Sequence, residues 1–145
     1  MLATAIGLQV VVLLYHQITT QLDLFPFNGA RFCTWQEKAL ECTVNGVLMS
    51  LAPVGFAFGI RAMMWFGVVY YLVLFAEELR VWWVPYLFGS TARWKSVYDR
   101  MHSATIKVLP ARGDNPVPNL EHTILHALTA ITASVTLLTF IRDVA

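Results

Sequence analysis

The chain has 145 residues, of which 57% are hydrophobic and only 13% charged, and its formal net charge is +1. Soluble domains carry about 25% charged residues, so this composition points to a membrane chain. The near-neutral charge also argues against a nucleic-acid partner, which calls for a strongly basic face.

Residues 2–20 make the first apolar segment. It lacks the basic leader and the small-x-small cleavage site of a signal peptide and reads as a retained span. Its last turns carry Tyr15, His16 and Gln17, and Pro26, Asn28 and Gly29 mark the loop that follows.

The second helix is expected to begin at Thr34, where Thr34-Trp35-Gln36-Glu37 fits a capping box. It places Glu37 and Glu41 on one face, enters the membrane near Thr43 and spans residues 40–60. Pro53 should kink it, and Gly55 and Gly59 form a GxxxG that suits close helix packing.

Between Thr43 and Ala76 the single charge is Arg61. A span takes ~20 apolar residues, so this stretch holds two spans, broken at Gly59-Ile60-Arg61. The third span covers residues 62–83, with Pro85 and Gly89 expected to stop it. Trp82, Trp83 and Tyr86 form an interfacial aromatic belt.

In residues 91–106, Trp94, Val97, Tyr98, Met101 and Thr105 fall on one helical face. That pattern suits a short interfacial helix lying on the membrane, with a linker helix packed on the bundle as the alternative. Residues 109–119 hold three prolines and a glycine and read as an extended connector. Asn119 then caps a last span, residues 120–141, rich in alanine, threonine and serine that permit close packing. The expected architecture is all-α: one integral membrane domain over residues 1–145, a four-transmembrane-helix bundle with a short cytoplasmic interfacial helix between spans three and four.

Orientation follows from the basic residues. Arg31, Lys38, Arg80, Arg93, Lys95, Arg100, Lys107 and Arg112 lie at one end, Arg61 and Arg142 at the other. Basic loops stay cytoplasmic, so both termini are expected outside a bacterial inner membrane or its equivalent. Cys33 and Cys42, the two cysteines, then sit on the reducing side and read as apolar fillers, a disulfide being the alternative.

Counting inward at ~1.5 Å per residue places polar groups of all four spans in one layer near the cytoplasmic boundary. These are His16, Asn45 with Glu41, Glu77 and Glu78, and His122 and His126, with Asp99 and His102 positioned to cover the layer. Ionisable groups at such depth face a bundle interior or a wet cavity. His126, Glu77, Glu78 and His16 are the candidate catalytic residues. His122 and His126, four apart on one face, are the candidate metal ligands for zinc or iron. Trp82, Trp83 and Tyr71 are the candidate walls of an apolar substrate pocket. The plainer reading makes Glu77 and Glu78 solvated partners of Arg80, and His16 a structural hydrogen-bonding residue.

The chain has neither the CxxC of quinone-reducing four-helix enzymes nor the histidine boxes of membrane desaturases. The acid that small multidrug transporters carry in their first span is also missing here. Three classes of function follow. The first is an enzyme acting on a lipid-like or other hydrophobic small molecule by acid–base or metal-assisted chemistry. The second is a small homo-oligomeric transporter or channel relaying protons or ions. The third is an accessory subunit of a larger membrane complex.

Overall fold

In a computed structural model, which describes residues 1–143, the chain is all-helical and four helices are long and apolar enough to cross a membrane. They are α1 (Leu2–Gln21), α2 (Trp35–Phe58), a continuous third helix over Arg61–Phe88, and α6 (Leu120–Asp143). The third comprises α3 (Arg61–Glu78), a π-helical turn (Leu79–Trp83) and α4 (Val84–Phe88). A short helix, α5 (Ala92–Met101), lies between it and α6. α1 packs on α2 and α6, and α3 packs on the same two helices, so the bundle is a square with the chain running up and down.

Local sequence explains the boundaries. The expected capping box is made: Thr34 Oγ1 accepts from the Glu37 N–H at 3.2 Å and the Glu37 carboxylate accepts from the Thr34 N–H at 2.7 Å. The break at Gly59 is also made, since Gly59 ends α2 in the left-handed region at φ 65°. The two glycines of the GxxxG therefore do different things. Gly55 is the packing residue, because a Cβ there would lie 2.5 Å from the Met63 Cβ. Its counterpart is Gly67 rather than Gly59, where a Cβ would lie 2.7 Å from the Ala52 Cβ. Helix α2 continues through Pro53 to Phe58.

The third helix runs further than expected. Pro85 does not stop it, because the π turn precedes it: the Val84 N–H donates to the Leu79 carbonyl, five residues back. Pro85 then falls at the start of a fresh α turn, where its missing N–H costs nothing. Gly89 ends the helix.

α5 is tied to the bundle end. Thr91 caps it, and Arg100 donates to Glu37 at 2.7 Å and to the Phe32 carbonyl at 3.1 Å. Its apolar face turns inward: Tyr98 is buried, donates its hydroxyl to the Val117 carbonyl at 3.2 Å, and Trp94 sits edge-on to Trp82 at 5.4 Å. The packed alternative is the one the contacts show. The segment after α5 is pinned by the Tyr86 hydroxyl on the Pro110 carbonyl and by Asn115 on the Tyr86 carbonyl. Cys33 and Cys42 are both free thiols.

Candidate functional site

The site is a cavity at the α5 end of the bundle. Its main chamber, about 480 Å³, lies between α1, α2, the π turn and α6, with α5 forming one wall. A side branch of about 200 Å³, which shares His16, Trp82 and His122 with the chamber, lies between α1, α2, α3 and α6. Both volumes together are in the range of small-molecule pockets.

All four histidines of the chain reach this space. His16 and His122 line both parts, His102 the main chamber and His126 the branch. Trp82 stands among three of them. Its ring centroid is 4.1 Å from that of His122, 4.9 Å from His102 and 6.2 Å from His126. The π turn is what brings this about. The wider π turn brings the residues four and five positions on near the same face, so Glu78, Trp82 and Trp83 all turn toward α6, and such turns recur at functional sites.

Two hydrogen bonds set the polarity of the α6 histidines. The indole N–H of Trp83 donates to His126 Nδ1 at 3.0 Å. With Nδ1 accepting, the neutral ring carries its proton on Nε2, which is buried without a partner. His122 is set the other way. Asn119 Oδ1 accepts the His122 backbone N–H at 2.9 Å, which fixes the orientation of that amide. The same oxygen lies 2.8 Å from His122 Nδ1, so Nδ1 donates and the lone pair is on Nε2. One turn apart on a single helix face, one imidazole presents an N–H donor and the other a base.

The carboxylates are sorted by the fold. Glu78 is buried at 8% exposure; one oxygen accepts from Thr129 Oγ1 at 2.9 Å and the other has no partner. Glu77 lines the branch, but its exposed carboxylate pairs with Arg80 at 2.5 Å. Glu121, in the first turn of α6, is buried in the chamber wall, 3.5 Å from His122 Nδ1, and its carbonyl accepts the Tyr15 hydroxyl at 2.9 Å. Neither Glu77 nor Glu78 bonds His126, whose acceptor nitrogen is taken by Trp83.

The remaining candidates divide. His16 has a buried Nδ1 with no partner and faces the cavity. Trp82 is a cavity wall and Trp83 a positioning residue. Tyr71 lies elsewhere, fully buried in the core with its hydroxyl 3.4 Å from the Gln9 carbonyl. Among the described residues no group of three or more His, Cys, Asp or Glu is arranged to hold a metal ion. His122 and His126 have ring centroids 5.9 Å apart, and His126 could ligate through Nε2 only by giving up the bond from Trp83.

Outside the spans, burial followed by the Lys107 and Arg100 charges holds the His102 imidazole down to about 4. Burial also lowers the Lys107 ammonium to about 8, and that group is held by the His102 carbonyl and by Thr105. Thr129 on Glu78 and Asn119 on the His122 ring are contacts of this cavity that the sequence did not identify. The signal for Thr129 was its three-residue spacing from His126; for Asn119 nothing beyond a helix cap was legible.

No family model matches this chain, and comparisons with curated proteins and with solved structures give no match.

Proposed function

We propose that this integral membrane protein is an enzyme that performs acid–base chemistry on an amphipathic, lipid-like or quinone-like substrate. The observation that carries the reading is the opposed polarity of His122 and His126 beside Trp82, both lining the side branch that adjoins a chamber of substrate size. His122 Nε2 takes a proton from the substrate, and His126 Nε2–H donates to the oxygen on which charge develops. Trp82 covers the reacting region with an apolar ring, and Trp83 and Asn119 hold the two imidazoles in their tautomers. The eight-to-two bias of basic residues supports an orientation with this cavity at the cytoplasmic leaflet of a bacterial plasma membrane or its equivalent and both termini outside.

The test is lipid profiling. Membranes of cells expressing the wild type, His122→Ala or His126→Gln are extracted and compared by mass spectrometry. The expected result is a lipid-like species converted by the wild type and left unconverted by both variants at equal protein level. A wild-type profile identical to that of the variants would overturn the reading. Impermeant labelling of a cysteine introduced at Asp114 in intact cells would overturn the orientation.

A further inference from the structure

We propose that the interior of the bundle carries a proton path from the histidine cavity toward the opposite face of the membrane, along the threonines of α6. Thr129, Thr132, Thr136 and Thr139 recur at three- and four-residue intervals, and all four are 0% exposed. A stripe of this kind alone serves close packing. Here, two other helices aim buried polar groups into it. From α1, Gln9, also 0% exposed, donates to Thr136 Oγ1 at 3.0 Å and keeps an unpartnered carbonyl oxygen. From α3, Glu78 accepts from Thr129 and keeps an unpartnered carboxylate oxygen. The hydroxyls of Thr132 and Thr139 are likewise buried without partners.

Buried polar atoms with open hydrogen-bond valences are the setting in which internal water is held. The spacing suits it. Successive threonines are ~4.5–6 Å apart along the helix axis, and one water hydrogen-bonded to both neighbours spans ~5.5 Å. From Thr129 to Thr139 the path rises ~15 Å, about half the hydrocarbon thickness, and the cavity with Glu78 takes up the basic half. Each hop forms an O–H bond on the accepting oxygen and breaks one on the donor, so one proton crosses per passage and no redox partner is involved.

Purified protein in liposomes carrying a pH dye inside tests this. A potassium gradient with valinomycin sets the potential and compensates the charge moved. The expected result is proton uptake well above that of protein-free liposomes, most of it lost in Gln9→Leu and in Thr132→Val, and retained in Ser134→Ala, which alters an exposed hydroxyl on the lipid-facing side of α6. Thr132→Val keeps the side-chain shape, so it decides the matter if Gln9→Leu does not fold. Uptake no faster than in protein-free liposomes, or unchanged in Thr132→Val, would overturn the proposal and leave the stripe as packing. Loss in Ser134→Ala as well would mean that the losses come from general disruption of α6 rather than from the stripe, and would overturn it too. The assay uses no substrate, so its outcome is independent of the acid–base reading.

Discussion

The indole N–H of Trp83 is 3.0 Å from His126 Nδ1, a bond between a π turn and a facing helix that assigns the tautomer of a buried imidazole. Trp83→Phe keeps an aromatic side chain and removes the donor. The expected cost is about 1 kcal/mol of stability, the usual net worth of such a bond. The more specific outcome is spectroscopic: in labelled protein the His126 nitrogen signals should move from a single Nε2–H tautomer to a mixture. Unchanged signals would mean that Trp83 does not orient the ring.

The close approach of α2 and α3 rests on Gly55 and Gly67. Replacing either with alanine drives a methyl to within 3 Å of the facing helix. Overpacking of this kind costs about 1–3 kcal/mol, so thermal denaturation in detergent should shift down for Gly55→Ala and Gly67→Ala. Gly7→Ala is the control. Nothing lies within 4 Å of its Cβ, and removing a helix glycine there should leave the midpoint equal or higher.

α5 is held by Arg100 on Glu37 and by Tyr98 on the Val117 carbonyl. In Arg100→Met combined with Tyr98→Phe, amide hydrogen exchange across residues 92–107 should speed up while the four long helices keep their protection. Exchange unchanged in that segment would show that α5 is held by its aromatic face alone.

The same segment should respond to acid. Burial, with Lys107 and Arg100 nearby, holds His102 at about 4, whereas an undocked imidazole titrates near ~6.5. The docked state therefore resists protonation that the undocked state accepts. Docking is fully favourable above ~6.5 and weakens as pH falls from there toward 4, because the undocked state binds more protons in that window. Hydrogen exchange of residues 92–107, corrected for its intrinsic pH dependence, should show loss of protection over this range. His102→Phe should flatten the response, and an equal response in that variant would assign it to other groups.

Much of the architecture was legible because it depends on near-neighbour chemistry and on the length of apolar runs. The four spans, the Thr34 capping box, the break at Gly59 and the Asn119 cap each follow from residues within a few positions of one another. The polar layer was legible too, since depth along a helix is a count of residues. What depth does not contain is direction around the helix axis and the identity of the partner. Glu77 and Glu78 are adjacent and equally deep, yet one meets Arg80 in the open and the other is buried on Thr129, because packing of α3 on α6 selects a face. The π turn was not foreseeable from spacing, as it redirects Trp82 and Trp83 through one backbone bond between Val84 and Leu79. The tautomers of His122 and His126 were likewise beyond any count of residues. They follow from an asparagine oxygen and a tryptophan N–H, the second contributed by a helix 43 residues away in the chain, and a contact at that separation exists only once the helices have packed.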